Sequence, residues 1–294
     1  MRIAFIGCVE FSHAALERLL AVPGAEVVAV VTRERSDFNA DFRSLRSLAE
    51  ANGIPCFLCS GESDASMLKW LSGLELDVGY CFGWPRLLSS KVLSVPRLGV
   101  VGFHPTPLPM NRGRHPLIWA LALGLKETAS TFFFMTAEPD AGPIISQVMI
   151  PISEGDDARS LYSRVTDTAL KQIDEFTREL SKGTLVATPQ DASRANHWRK
   201  RTALDGRIDW RMSGRSIRNL VRALAAPYQG ATFLLDGVDV VVRKVAVAGV
   251  APENLEPGKV LSVEGNTFTV RVGDGALWIL DHDLRELPRV GSYL

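Results

Sequence analysis

Residues 1–32, MRIAFIGCVEFSHAALERLLAVPGAEVVAVVT, decide the fold. The apolar run at 2–6 stops at Gly7, and the next periodic stretch, 11–20, puts Ala14, Leu16, Leu19 and Leu20 near one helical face. A second apolar run, AEVVAVVT at 25–32, is valine-rich and reads as a buried strand. Strand, turn, helix and strand in succession is the repeating unit of a parallel sheet with crossover helices.

The same alternation continues outward. We expect helices over 43–51 and 66–74, and short strands over 54–58, 77–82 and 98–103. The fold class is therefore α/β, an open, mostly parallel, Rossmann-like sheet. In such sheets a ligand crevice lies beyond the carboxyl ends of the strands, which directs attention to Gly7, to 83–86 and to His104. A dinucleotide fingerprint needs G-x-G-x-x-G after the first strand, whereas Gly7 is followed by Cys8, Val9 and Glu10, so a nicotinamide cofactor is not expected.

At 294 residues, 46% hydrophobic and 22% charged, the chain has material for two cores, which excludes disordered and collagenous classes. Lys plus Arg and Asp plus Glu each number 33, so a nucleic acid or anionic surface would need a local patch. No signal peptide or apolar run of about 18 to 20 residues is evident, and the expected location is cytoplasmic, with no membrane partner. Four cysteines fit a reducing compartment; Cys56 and Cys59 form a lone C-x-x-C without a second pair at zinc spacing, so no metal is expected.

A long helical pattern at 158–180 closes the first domain, taken as 1–184. Polar residues at 185–203 read as a linker. Residues 204–294 form a second domain with one helix capped by Ser213 and several valine-rich strands. Asp236-Gly237, Glu264-Gly265 and Asp274-Gly275 are hairpin signals, so the tail is expected to be a small β-barrel-like unit.

Chemistry concentrates in GVVGFHPTPLPMNRGRHPLIW, residues 99–119. Pro105, Pro107 and Pro109 stiffen the loop behind a strand that ends at His104, a side chain able to exchange protons near neutral pH. On position alone, a core histidine bonded to a backbone carbonyl is an equally open reading. Further on, EPDAG at 138–142 makes a turn between strand candidates at 131–135 and 144–150. Asp140 could face the histidine and keep it charged, or could simply form the turn.

HPTPLP (104–109), RGRHPLIW (112–119), KET (126–128) and PDAGPIISQ (139–147), in this order, resemble the formyltransferase family that uses 10-formyltetrahydrofolate. RIDWRMSGRSIRNLVRALAAPYQGATFLLDG (207–237) resembles the C-terminal, OB-like domain of the two-domain branch, the methionyl-tRNA and amino-sugar formyltransferases. The resemblance implies that His104 manages protons as an amine attacks the formyl carbon, and that Asp140 orients it. It further implies that Arg114 lines the folate site, and that the Arg86, Leu87, Leu88 loop and the Thr136, Ala137, Glu138, Pro139, Asp140 loop embrace the pterin ring.

One position departs from the family pattern. The family has N-x-H, its asparagine donating to the oxyanion, and here the triplet is Gly102-Phe103-His104. Removing one such donor costs on the order of 100 to 1000 fold in rate. A replacement donor in the space Gly102 leaves open is the expectation, with Asn111, a backbone N–H or a water named for it. Slower or redirected chemistry, such as formyl hydrolysis, and folate binding without turnover are the alternatives.

The acceptor amine is expected on an amino sugar, nucleotide-linked. RERSDFNAD at 33–41 carries two basic and three acidic residues and suits phosphate poorly, which disfavours transfer RNA and leaves methionyl-tRNA formylation as the runner-up. Nine Lys or Arg against two acidic residues in 194–222 point the other way. Arg215, Arg218 and Arg222 share a helix side that reads as a solvated face or as a diphosphate holder. Trp84 reads as a core tryptophan or as a stacking surface. The expected partners are thus small molecules, and a homodimer is compatible with the sequence.

Overall fold

The computed structural model describes residues 1–35, 40–60 and 64–294. Among them two compact units are distinguished, one from residues 1–116, 128–150 and 163–198, the other from 117–127, 151–162 and 199–294.

The first unit begins with β1 (Arg2–Ile6), α1 (Glu10–Leu20), β2 (Glu26–Thr32), α2 (Arg46–Ala51), β3 (Cys56–Leu58), α3 (Ala65–Leu71), β4 (Val78–Cys81), α4 (Ser90–Leu93) and β5 (Val100–His104). After β6 (Arg112–Gly113) and α5 (Pro116–Ala122) come β7 (Glu127–Phe134), β8 (Ile144–Pro151), α6 (Ala158–Lys182) and β9 (His197–Trp198), of which α5 beyond Pro116 and α6 up to residue 162 belong to the second unit. The seven-stranded sheet runs in the order β3-β2-β1-β4-β5-β7-β8. β1 to β5 pair in parallel, and β7 returns antiparallel against β5 with His104 opposite Thr131. β1 pairs with both β2 and β4, so the strand order reverses there, which opens the crevice at the carboxyl ends.

Alternation along the strands separates two apolar layers. Ala4, Ile6, Ala29 and Val31 meet Met67 and Leu71 of α3 and Val92 and Leu93 of α4. Phe5 meets Phe82 edge-on at 5.5 Å, and Phe132 gathers Phe82, Phe103 and Phe176 of α6 at centroid distances of 5.2, 4.8 and 4.8 Å. The Tyr80 hydroxyl finds Thr177 at 2.9 Å, so the aromatic layer contains a satisfied phenol. The helix expected over 43–51 starts only at Arg46: residues 41–43 pair instead with 8–10, the Arg43 N–H donating to the Cys8 carbonyl at 3.0 Å and the Glu10 N–H to the Asp41 carbonyl at 2.9 Å.

The second unit contains α7 (Gly214–Ala223), β10 (Ala231–Leu235), β11 (Val238–Gly249), β12 (Val260–Glu264), β13 (Thr267–Val272) and β14 (Gly275–His282). Its five-stranded antiparallel sheet has the order β10-β11-β14-β13-β12. Ile217, Leu220 and Val221 of α7 share a core with Phe233, Phe268 and Leu277 of the sheet. Ser213 caps α7, its hydroxyl accepting from the Ser216 N–H at 3.0 Å. Asp236 and Gly237 both have positive φ, 50° and 80°, as a two-residue hairpin between β10 and β11 requires. No helix among the described residues is long and apolar enough to cross a membrane.

Of the arginine stripe of α7, Arg215 is exposed as a solvated face would have it, whereas Arg218 and Arg222 are engaged. Arg218 donates to the Glu154 carboxylate at 2.9 Å and to its carbonyl at 2.6 Å, and Arg222 donates to the carbonyls of Ser153 and Asp156. Carbonyls need donors, and these two side chains supply them, tying residues 153–156 to the helix. Glu154 also accepts from Lys126 at 2.8 Å; the bonds from Lys126 and Arg218 hold its carboxyl down at about 2, against an ordinary 4.5.

A depressed carboxyl stabilises the folded state fully above its unfolded value and loses that contribution as pH falls through its folded value. Thermal melts of the wild type should therefore drop between pH 4.5 and about pH 2 more steeply than those of Glu154→Gln. The difference should shrink in high salt, since the group is exposed. Parallel melting curves for the two proteins would remove this contribution.

Candidate active site

His104 closes β5 and is buried, its side chain 7% exposed. Its Nε2 lies 2.9 Å from the carbonyl oxygen of Asn111. A carbonyl only accepts, so Nε2 carries the hydrogen and Nδ1 is the nitrogen turned toward Asp140. Nδ1 and Asp140 Oδ2 are 3.9 Å apart, an electrostatic contact rather than a hydrogen bond. The carboxylate takes its hydrogen bond instead from the backbone N–H of Gly113, at 2.9 Å.

The proline loop is held by side chains of the adjacent strands. Prolines offer no N–H, and the carbonyls around them are satisfied from outside: Thr128 donates to Pro105, Thr131 to Thr106 and Gln147 to Leu108, at 2.7, 2.6 and 3.0 Å. This fixes the chain between His104 and Asn111 and so fixes the carbonyl that the imidazole meets.

Loop 135–143 joins β7 to β8 and carries Asp140 at φ 57°, a left-handed conformation uncommon for a residue with a side chain. Gly142 shows why this loop ends in glycine: a Cβ there would lie 1.7 Å from the Phe134 carbonyl oxygen. Leu87, Leu88, Phe133, Met135, Thr136, Ala137, Pro139 and Asp140 line one pocket. The two segments expected to flank a ligand therefore do meet, but Arg86 and Glu138 do not line this pocket. Arg86 lies in a neighbouring pocket of ≈ 260 Å³ with Trp84, Met67, Asp64, Cys59 and Ser89, and Leu87 and Leu88 form the wall between the two. Glu138 turns to Arg112, and Arg114 is exposed, its Nη1 3.4 Å from the Pro85 carbonyl.

Trp84 is half-buried, packed against the α3 and α4 layer while lining that neighbouring pocket. Cys56 and Cys59 are free thiols, and burial pushes Cys56 up from its ordinary value, which makes it a poorer nucleophile. No group of three or more metal-binding side chains is found among the described residues. Of residues 33–41, the central 36–39 lie outside the described residues.

Gly102 leaves no open space. A Cβ at Gly102 would lie 2.8 Å from Met135 Cγ and 3.0 Å from Phe133 Cζ, so apolar side chains already fill the position in which a donor was expected. Asn111 is tied to Asn196: its side-chain oxygen accepts from Asn196 Nδ2 at 3.1 Å, and its N–H donates to Asn196 Oδ1 at 2.8 Å.

Residues that sequence reasoning missed come from the segment read as a linker. Gln190 Nε2 donates to the carbonyls of Asp140 and Gly142, both at 2.8 Å, and its Oε1 accepts from buried Arg112 at 2.8 Å. Thr188 bridges to Ile144 on β8, and β9 pairs with β6, Arg112 against His197 and Gly113 against Trp198. A polar run without periodicity carried no signal of these contacts. Arg112 stood within the RGRH motif without a role.

Comparison with known proteins now decides the family. A model described as formyl transferase matches residues 1–176, and one described as the formyl transferase C-terminal domain matches residues 200–288. The chain belongs to the formyl transferase family.

Solved structures share the fold of this formyltransferase. An N-formyltransferase from Helicobacter canadensis, crystallised with folinic acid and dTDP-3-aminofucose, is 17% identical with a TM-score of 0.73, over 96% of this chain and 99% of that one. A sugar N-formyltransferase from a Shewanella strain is 17% identical with a TM-score of 0.67, over 83% and 97%. HypX from Aquifex aeolicus is 21% identical with a TM-score of 0.65, over 97% of this chain but only 45% of that protein.

The Met135 wall is testable in this formyltransferase. Gly102→Asn should destabilise by roughly 1–3 kcal/mol through overpacking, read by denaturant unfolding. Adding Met135→Ala should recover part of that loss; a fully stable Gly102→Asn protein would contradict the contact.

Proposed function

We propose that this formyltransferase moves the formyl group of 10-formyltetrahydrofolate onto the amine of an amino sugar carried on a nucleotide. The observation that carries the reading is the meeting of the His104 imidazole and the Asp140 carboxylate, 3.9 Å apart, with Asp140 lining the pocket between Leu87, Leu88 and Met135. A flat heterocycle suits such a pocket, because apolar walls meet its faces and main-chain groups of residues 136–140 are within reach of its polar edge.

Attack of the amine on the formyl carbon forms a C–N bond and a tetrahedral centre. Collapse breaks the bond to N10 of the folate, so one proton must leave the amine and one must reach N10. His104 Nδ1 and the Asp140 carboxylate are the groups assigned to these transfers, since Nε2–H is committed to Asn111. With Met135 and Phe133 filling the place beside Gly102, the oxyanion must draw its donor from His104, from the backbone or from solvent.

The sugar acceptor is supported by the fold shared with sugar N-formyltransferases, and by the small net charge of residues 33–41. Arg218 and Arg222 are committed to residues 153–156, which weakens a phosphate-binding use of the stripe for either acceptor, so the stripe does not discriminate between the two readings.

Incubation with 10-formyltetrahydrofolate and amino-sugar nucleotides should release tetrahydrofolate and an N-formyl sugar, and His104→Asn should lower that turnover by about 100-fold or more with the fold intact. Formylation of charged initiator tRNA instead would favour the runner-up. Folate binding without product from either acceptor would overturn the transferase chemistry, and full activity of His104→Asn would overturn the role of His104.

A further inference from the structure

We infer that Gln190 is a positioning residue for Asp140, oriented by buried Arg112, and that the segment around it is part of the active site rather than a tether. The inference rests on the reading of Asp140 as part of the catalytic centre.

Asp140 sits at φ 57°, a left-handed conformation that aspartate tolerates better than most residues but that still benefits from contacts fixing the turn around it. Gln190 does so from both sides of the turn. Its Nε2 donates to the carbonyls of Asp140 and Gly142, each at 2.8 Å, spending both amide hydrogens on two carbonyls two residues apart.

The amide cannot be turned round. A guanidinium only donates and a carbonyl only accepts, so the Arg112 Nη2 contact at 2.8 Å fixes Oε1, and the NH2 group must face the loop. Arg112 is 3% exposed and also donates to Glu138 Oε1 at 3.0 Å, so one buried guanidinium grips the loop at Glu138 directly and at Asp140 and Gly142 through Gln190. The next residue, Gly113, gives its N–H to the Asp140 carboxylate at 2.9 Å. The backbone orientation of Asp140 is thus set by Gln190 and its carboxylate by Gly113 of β6, and His104 meets the result.

Gln190→Glu separates this role from simple packing. The variant keeps the shape and the acceptor for Arg112 but loses both donors and places an oxygen against two carbonyls. Amide hydrogen exchange at residues 138–142 should quicken while β5 keeps its protection. With 10-formyltetrahydrofolate and the sugar acceptor, kcat should fall about ten- to a hundredfold with little change in KM, and the pH–rate profile should shift.

A purely structural role would lower the melting temperature and leave that profile in place. Unchanged exchange, or an unchanged kcat and pH profile, overturns the inference. Asp140→Asn is measured alongside: if it is inactive while Gln190→Glu behaves as wild type, only the role of Gln190 fails. If Asp140→Asn is fully active, the reading of the centre fails and this inference with it.

Discussion

A guanidinium cannot be taken out of water without partners, and at Arg112 that requirement organises the site. Its partners are Glu138 and Gln190, 26 and 78 positions further along the chain. Satisfying one buried cation therefore draws the β7–β8 loop and the segment beyond α6 onto the strand that follows the proline loop. Because that strand also supplies the Gly113 N–H to Asp140, and Asn111 just before it supplies the carbonyl that His104 meets, neighbouring residues fix both the imidazole and the carboxylate. The network has no donor capacity to waste: Arg112 Nε is already buried without a partner, so losing the Gln190 acceptor would leave a second buried donor unpaired, which is why residue 190 belongs to it.

The apolar side of the site is equally specific. Met135 and Phe133 occupy the position beside Gly102, so that glycine is there because nothing larger fits, and Met135 itself becomes part of the pocket wall. In the proposed chemistry this shifts oxyanion stabilisation away from a side-chain amide on β5.

The surroundings of His104 hold the contacts that each of its two readings calls for. The ring does donate to a backbone carbonyl, as a core histidine would, and its other nitrogen does face a carboxylate, as a proton carrier's would. The basic stripe of α7 resolved otherwise: two of its arginines satisfy carbonyls of residues 153–156, a local use of charge that helical periodicity cannot distinguish from a phosphate site.

Strand and helix alternation, the hairpin turns of the tail and the Ser213 cap were legible because they depend on residues close together in the chain, through apolar period and turn chemistry. The histidine at a strand end and the EPDAG turn were legible as types of residue in types of position. What tertiary structure alone decided was which distant groups meet. Gln190 on Asp140, Asn196 on Asn111 and Met135 against Gly102 join segments whose separations leave no periodic trace. Local preference fixes the elements; the need to pair buried polar groups and fill space, which only the folded chain can satisfy, fixes the site.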